Sequence, residues 1–206
     1  GVQTSWCMTE LSPLGTIAPA RGRARAIASG RPSVGLDLKL TDAAGATLPR
    51  QRNVTGHLKV KGASVVDRYF KAQAEALDAE GYFDTGDLAT IDDAGNLTIS
   101  GRTKDLIKSG GEWINPAEIE AIVGRLPGVG LVAVIGRNDP KWGERPILVV
   151  EPQKCHTLNE RALLDALRGN VADWWIPDQV IQVAHMPLAP TGKIDKNRLR
   201  TEYAGA

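Results

Sequence analysis

Two short stretches of the sequence carry residues that could bind parts of a nucleotide. In SWCMTE, Trp6 could stack on a flat base, Thr9 could donate a hydrogen bond to a phosphate oxygen, and the Glu10 carboxylate could bind Mg²⁺. In GYFDTGDLA, Asp87 follows a Thr-Gly turn and could accept hydrogen bonds from the two neighbouring hydroxyls of a ribose. Each stretch also has a plainer explanation, because the first could be a helix cap or turn and the second an Asx turn.

A third stretch, SGRTKDLIKSGGEWI, adds a cation and a pair of glycines. Arg102 follows a glycine at the end of a predicted strand, from where it could reach the same sugar or phosphate. Gly110 and Gly111 could turn tightly and present bare backbone amides to a ligand, or they could form a simple hairpin turn.

A fourth stretch, MPLAPTGKIDKNRLR, places a lysine near the end of the chain. Its Pro residues and its Thr-Gly pair disfavour both a helix and a central strand, so we expect Lys193 on a constrained turn with its ammonium projecting. A solvated surface lysine is the ordinary alternative. The four stretches each suit one piece of a nucleotide, and their occurrence in one chain favours a shared role.

The composition describes an ordinary globular chain of 206 residues, 42% hydrophobic and 24% charged, with a formal net charge of +1. That balance gives no general attraction to nucleic acid or to an anionic membrane. The Arg-rich segment at residues 18–32 has no interleaved aromatic residues, which favours a solvated loop over a nucleic-acid contact.

The two cysteines and three histidines exclude some further classes of site. Cys7 and Cys155 lie far apart and the histidines are scattered, which argues against a disulfide framework or a Cys/His zinc site and favours a reducing, cytoplasmic location. No apolar run approaches the roughly 20 residues that cross a bilayer, so we expect a soluble chain without a membrane span.

The first half of the chain is predicted to be mostly β-structure. VGLDLKL and GHLKVKG alternate apolar and polar residues, and LATIDDAGNLTIS contains two short strands joined by a turn. Between them, residues 67–83 are rich in Ala, Glu, Lys and Gln, which predicts a short helix that ends at Gly81.

After residue 103 the pattern becomes mixed. Asn115 as N-cap and Pro116 at the first helical position predict one helix, and a capping box that starts at Thr157 predicts another. With three apolar β runs and a terminal helix, the order is α, β, β, α, β, α. We therefore assign the chain to the α+β class, with domains at 1–103 and 104–206.

The four stretches WCMTE, GYFDTGDLA, GRTKDLIKSGGEWI and PLAPTGK, in this order and at these intervals, resemble the later signature motifs of the adenylate-forming superfamily. This superfamily contains acyl-CoA synthetases, peptide-synthetase adenylation domains and beetle luciferases. The resemblance covers nearly the whole chain, and KSGGEWI is similar to ligases of medium- or long-chain fatty acids.

The resemblance implies a particular domain organisation. Residues 1–103 would be the β-rich end of the large AMP-binding domain, a remnant of its distorted barrel, and residues 104–206 the small, mobile α+β C-terminal domain. The chain lacks an initiator methionine, and we expect it to be a fragment. The missing N-terminal part would supply the family's phosphate loop and most of its acyl pocket.

The resemblance also implies a role for the residues of the first domain. Trp6 would lie against the adenine, Thr9 would contact the α-phosphate, and Glu10 would bind Mg²⁺. Asp87 and Arg102 would hold the ribose of ATP or AMP.

In the second domain, the resemblance implies a moving part. Lys104 would be the hinge about which this domain rotates; many members have Asp there, and acyl-CoA ligases often have Lys. The loop from Ser109 to Trp113, with Gly110 and Gly111, would border the pantetheine tunnel of coenzyme A, and Trp113 would lie near the mouth of the acyl tunnel.

Lys193 resembles the family's catalytic lysine. Attack of a carboxylate on the α-phosphate brings two anions together, and a cation must offset the growing negative charge. The implied reaction joins a small carboxylic acid to coenzyme A through an acyl-adenylate, with release of pyrophosphate and AMP. A peptide-synthetase-type adenylation domain and a non-catalytic fragment are the alternatives, and we expect the isolated chain to be inactive.

Overall fold

The computed structural model describes residues 3–18 and 28–205, so most of the Arg-rich segment at residues 18–32 lies outside the described part. The chain divides into two compact units, Gly1–Lys104 and Asp105–Ala206. The expected division was one residue earlier, between residues 103 and 104. No helix within the described ranges is long and apolar enough to cross a bilayer.

The first unit contains two antiparallel sheets, with strand orders β1-β2-β3 and β4-β5-β6-β7. Short 3-10 helices follow β1 and β7, at Thr9–Leu11 and Thr103–Asp105. The strands are Ser5–Cys7 (β1), Leu14–Ile17 (β2), Arg31–Pro32 (β3), Leu36–Thr41 (β4), Thr55–Gly62 (β5), Phe83–Ile91 (β6) and Leu97–Arg102 (β7).

The predicted alternation holds in this unit. In β5, for example, Leu58 and Val60 are fully buried while their neighbours are more accessible. Together with Leu40 and Leu97, they form one apolar core. The sheets described here are open, and no closed barrel occurs among the described strands, because four strands are too few to close a sheet on itself.

The helix predicted for residues 67–83 does not form, so that prediction is wrong. The segment is a series of turns in which Lys71 has a positive φ of 63° and the Ala76 amide donates to the Asp67 carbonyl. Val66 and Leu77 pack against the core of the unit. In this conformation the two ends of the segment reach the core of the unit, and packing overrides helix propensity.

The second unit is a five-stranded sheet with helices on both faces. Its path is β10-β11-β8-β9, and β12 pairs in parallel with β11. A 3-10 helix spans Asp173–Trp175. The elements are Ile107–Ser109 (β8), Glu112–Ile114 (β9), Pro116–Val123 (α1), Val129–Asp139 (β10), Gly143–Pro152 (β11), Glu160–Asp165 (α2), Gln179–Gln182 (β12) and Lys196–Tyr203 (α3). The predicted α+β class and the order of these elements after α1 are confirmed.

The middle of strand β11, from Ile147 to Val150, is apolar without alternation. Leu148 and Val150 belong to a core that also contains residues of α1 and α2, whereas Ile147 and Val149 pack in a second core with Leu199 of α3. Both faces of the strand are buried, so no polar residue is needed at alternate positions.

The helix starts show where local signals suffice. The α1 prediction is confirmed, because the Asn115 side chain accepts from the Ala117 amide and Pro116 begins the helix. The capping box from Thr157 is wrong: Asn159 is the N-cap of α2, and it accepts from the Ala162 amide at 3.2 Å. Asparagine and threonine are both good caps, and the later one is used.

The buried strand β11 leads to a first prediction. Leu148→Ala removes a fully buried side chain and should lower the free energy of unfolding by about 2–5 kcal/mol. Leu188 is 52% exposed, and Leu188→Ala should change it by less than about 0.5 kcal/mol. Urea unfolding followed by tryptophan fluorescence measures both; equal effects would mean that Leu148 does not lie in a close-packed core.

Candidate functional site

Asp87 and Arg102 form an ion pair across the hairpin of β6 and β7. The Arg102 Nε lies 2.7 Å from Asp87 Oδ1, and the two residues are direct partners in the strand register. Asp87 is 2% exposed, whereas the side chain of Arg102 is 46% exposed. The carboxylate is therefore held inside the protein while the guanidinium reaches the surface, and the structure brings together two residues that the sequence assigned to one ligand.

A β-bulge creates this pairing. Counting back along the ladder from the pair Ile91 and Leu97 would place Asp87 opposite Gly101. The register shifts by one residue between Leu88 and Ala89, so that Asp87 instead faces Arg102. A bulge reverses which face of the strand each later side chain occupies, and here it puts both charges on the same side.

The Thr-Gly pair before Asp87 fixes its backbone. The Thr85 hydroxyl donates to the Leu58 carbonyl at 2.8 Å and accepts from the Asp87 amide at 3.1 Å. Gly86 has a positive φ of 68°, and its amide donates to Asp84 Oδ1. The Asx turn considered for Asp87 is thus made by Asp84, and the Asp87 carboxylate bonds to other groups, Trp6 and Arg102 among them.

Trp6 is a partner of Asp87. Its indole Nε1–H donates to Asp87 Oδ2 at 2.9 Å, and the residue is only 7% exposed. Its ring lies against Gly15, where an added Cβ would be 2.2 Å from Trp6 Cε3. The resemblance implies a ring placed against a base, but so little of the ring is exposed that its principal contacts here are with the core and with the carboxylate.

Thr9 and Glu10 lie on the 3-10 helix that follows β1. Thr9 is exposed, and Glu10 Oε1 accepts a hydrogen bond from the Tyr69 hydroxyl at 3.1 Å. Burial and this carboxylate raise the pKa of Tyr69. Glu10, Tyr69, Thr85 and Arg102 line one cleft of about 440 Å³.

Two carboxylates, Glu10 and Asp84, line this cleft, and Asp84 Oδ1 already accepts a hydrogen bond from the Gly86 amide. No group of three or more His, Cys, Asp and Glu side chains suited to a metal occurs in the described part of the chain. One carboxylate, with phosphate oxygens and water completing the shell, is a normal arrangement for Mg²⁺. Glu10 therefore fits the ion that the sequence suggested.

In the second unit, Gly110 and Gly111 form the two-residue turn between β8 and β9. Their φ angles are 61° and 92°, which only glycine adopts readily in both positions of a tight hairpin. The Gly110 amide donates to the Trp142 carbonyl at 2.8 Å, so it is not bare as the sequence suggested. Trp113, on β9, is half exposed.

The sequence analysis missed a cleft beside this turn. It has a volume of about 420 Å³, and its lining includes Gly110, Arg145 and two exposed aromatic residues, Trp142 and Trp174. Arg145 joins parts of its wall, because its guanidinium binds the Asp178 carboxylate and also donates to the Trp174 carbonyl at 2.7 Å. In the sequence, the only indication of this cleft was the presence of two tryptophans, Trp142 and Trp174, in otherwise polar segments.

Lys193 lies on a constrained turn, as predicted. The Ala189 amide donates to the Lys193 carbonyl and the Gly192 amide to the Ala189 carbonyl, each at 2.8 Å, and Gly192 has a φ of 80°. Lys193 is exposed, and within residues 3–18 and 28–205 its ammonium has no hydrogen-bond or ion-pair partner. Lys104 is likewise exposed, in the 3-10 helix at the end of the first unit.

Comparison with known proteins gives a consistent result. Residues 118–193 match the family model of the AMP-binding enzyme C-terminal domain. The 3-methylmercaptopropionyl-CoA ligase of Ruegeria pomeroyi is 41% identical, in a match that covers 98% of this chain and 40% of that protein. The medium-chain-fatty-acid–CoA ligase of Ectopseudomonas oleovorans is 39% identical, over 97% of this chain and 38% of that protein.

A solved structure agrees in fold. ATP-bound MatB from Rhodopseudomonas palustris superposes with a TM-score of 0.89 at 35% identity, over 98% of this chain and 41% of that one. The chain thus spans about 40% of the length of the relatives that it matches. Together with the motif residues placed above, these matches show that the chain belongs to the superfamily of adenylate-forming enzymes.

Proposed function

We propose that the intact protein carrying this chain is an ATP-dependent acid:CoA ligase. A carboxylic acid and ATP give an acyl-adenylate and pyrophosphate, and coenzyme A then gives acyl-CoA and AMP. The observation that carries the proposal is the match to acyl-CoA ligases over 97–98% of this chain. Because the chain spans only about 40% of those relatives, the reaction is proposed for the whole protein.

In this reaction the first unit holds the nucleotide. Asp87 is buried and held by Trp6 and Arg102, so its carboxylate is oriented in advance for the ribose hydroxyls and pays little cost for reorienting when they bind. Arg102 neutralises that carboxylate and extends its exposed end toward the sugar. Trp6 holds Asp87 in place and offers the small exposed part of its ring to the adenine.

The cleft beside Arg102 receives the phosphates. Thr9 is exposed next to Glu10 on the same 3-10 helix and can donate to the α-phosphate, and Glu10 would bind Mg²⁺. The ion, when bound, offsets negative charge on the phosphate oxygens as the carboxylate attacks. Tyr69 donates to Glu10 and orients that carboxylate.

The second unit supplies Lys193. Its turn is braced by backbone hydrogen bonds, while its ammonium is exposed and unpaired within the described part of the chain, which suits a group that must meet an anion elsewhere. Lys104 is the pivot that lets this unit deliver Lys193 for adenylation and then withdraw it.

The same movement presents coenzyme A to the acyl-adenylate. The hairpin Ser109–Trp113, with Gly110 and Gly111 at its turn, borders the pantetheine arm. Beside it, the exposed rings of Trp142 and Trp174 can stack on the adenine of coenzyme A.

We propose a medium- or long-chain fatty acid as the substrate, on the strength of the KSGGEWI stretch and of the medium-chain ligase among the relatives. A short thioether acid, 3-methylmercaptopropionate, is a second candidate, because the Ruegeria pomeroyi ligase is 41% identical. Pyrophosphate release by the intact enzyme over a panel of both kinds of acid decides between them. Transfer of the acyl group to a carrier domain but not to free coenzyme A would instead support a peptide-synthetase-type domain.

The isolated 206-residue chain should have no activity of its own. It matches only about 40% of the length of the ligases, so we expect no acid-dependent exchange of pyrophosphate into ATP and no tight ATP binding. Isotope exchange and calorimetry measure the two, with the intact protein as the positive control. Exchange by the chain alone would contradict this proposal.

Asp87→Asn tests the ribose site in the intact enzyme. The substitution keeps an oxygen for Trp6 but removes the charge that pairs with Arg102, so KM for ATP should rise on the order of 10-fold, the scale of one lost charge-assisted hydrogen bond. Asp93→Asn, at an exposed turn, is the matched control and should leave KM unchanged. An equal KM in both variants would remove Asp87 from the nucleotide site.

Substitutions of Lys193 and Lys104 should affect the two half-reactions of the intact enzyme differently. Lys193→Ala should slow adenylation by about 10²- to 10³-fold, the scale for one preorganised electrostatic group, and spare thioester formation from supplied acyl-AMP. Lys104→Pro should fix the pivot by removing φ freedom, leaving one half-reaction and blocking the other. Lys154→Ala, an exposed lysine elsewhere in the second unit, is the control. Single-turnover assays of each half-reaction measure these effects, and equal loss of both in Lys193→Ala would make its turn merely structural.

A further inference from the structure

Four charged side chains meet around the start of α3 and are not used by the proposed chemistry. Lys196 Nζ lies 2.7 Å from Glu120 Oε1 and 4.0 Å from Asp105 Oδ2. Arg200, one turn later on the same helix, places Nη2 2.7 Å from Asp105 Oδ1. We call Asp105, Glu120, Lys196 and Arg200 the α3 charge cluster.

The cluster is largely withdrawn from water. Its side chains are between 17% and 30% exposed, so each charge would be costly without its partner. Glu120 also accepts from the Val134 amide at 2.7 Å, which ties α1 and the first turn of α3 to strand β10. Burial raises the pKa of Glu120, although Lys196 opposes that rise.

The cluster is joined to the Lys193 turn by a short, hydrogen-bonded path. The Asp195 amide donates to the Pro187 carbonyl across the base of the turn, and the Asp195 side chain caps α3 by accepting from the Arg198 amide. Lys196 follows as the first residue of the helix. A displacement of Lys196 would therefore be passed through Asp195 to the turn.

The other end of the cluster lies next to the proposed pivot. Asp105 follows Lys104 directly in the chain and is held by both Lys196 and Arg200. Rotation about Lys104 thus begins at a residue that is fixed to the same helix as the lysine turn.

We propose that the α3 charge cluster positions Lys193: Asp105, Glu120, Lys196 and Arg200 hold its turn in a fixed relation to the pivot, so that rotation brings the ammonium to one defined place. This inference rests on the proposed function of Lys193. The four are positioning residues, since none of them contacts the reacting atoms in this scheme. Placement matters, because a displacement of about 1 Å can cost on the order of 10²-fold in rate.

Hydrogen exchange on the present chain tests the physical link without any assay of activity. Lys196→Met removes the central charge, and the amides of Ala189 and Asp195, which close the turn, should then exchange on the order of 10-fold faster. Arg198→Met is the matched control, since it breaks the exposed Arg198–Glu202 pair on the same helix without touching the cluster. Equal exchange of these amides in the two variants would overturn the proposal.

A double variant guards against loss of folding. Lys196→Met alone leaves Glu120 buried without its cation, so Glu120→Gln/Lys196→Met removes both charges while the Gln carbonyl can still accept from the Val134 amide. If the single variant does not fold, exchange in the double variant decides by the same criterion.

The half-reactions of the intact enzyme test the consequence for catalysis. The double variant should slow adenylation about 10- to 10²-fold and leave thioester formation from supplied acyl-AMP within about 2-fold, a split that simple destabilisation would not produce. Faster exchange with unchanged adenylation, where Lys193→Ala is slow, overturns the positioning role. If Lys193→Ala leaves the rate of adenylation unchanged, the proposed function of Lys193 is wrong. The physical link between the cluster and the turn is then tested by hydrogen exchange alone.

Discussion

The organisation of the first unit depends on the burial of one carboxylate. Asp87 is 2% exposed, and a charge so far from water persists only when it is paired and hydrogen-bonded. Arg102 supplies the charge and Trp6 the second donor, and both must come from other strands. The bulge at Ser100 in β7, the Thr85 hydroxyl and the packing of β1 against β2 all serve to bring these groups to the same carboxylate.

In the second unit the element that must be buried is an apolar strand, not a charged side chain. Strand β11 is buried on both faces, so helices must cover both sides of the sheet, and α3 is the element that covers one of them. Leu199 packs α3 onto that face, while Lys196 and Arg200 attach the same helix through paired charges. Apolar packing sets the position of the helix, and the charge pairs define its rotation and its register along the sheet.

Sequence reasoning succeeded where a signal was local and failed where packing decided. The Asn115 cap and the Lys193 turn depend on neighbouring residues, and both could be predicted from residue types alone. The segment at residues 67–83 has good helix propensity, but apolar residues of this segment pack in the core of the first unit instead of forming a helix. Asp87 and Arg102 face each other because of a bulge, and no residue type in the sequence predicts that bulge. The cleft between Trp142 and Trp174 is formed by two loops that come together only in the folded sheet.

Gly15 matters for the proposed ribose site, although its side chain is a single hydrogen atom. It carries no group that could bind anything, yet any side chain at this position would collide with the Trp6 ring, 2.2 Å from an added Cβ. The ring would have to shift, and with it the indole N–H that holds Asp87. A small apolar substitution in the strand β2 would therefore act like a change of ligand-binding residue, and a survey of tolerated variants that looked only at charged side chains would overlook it.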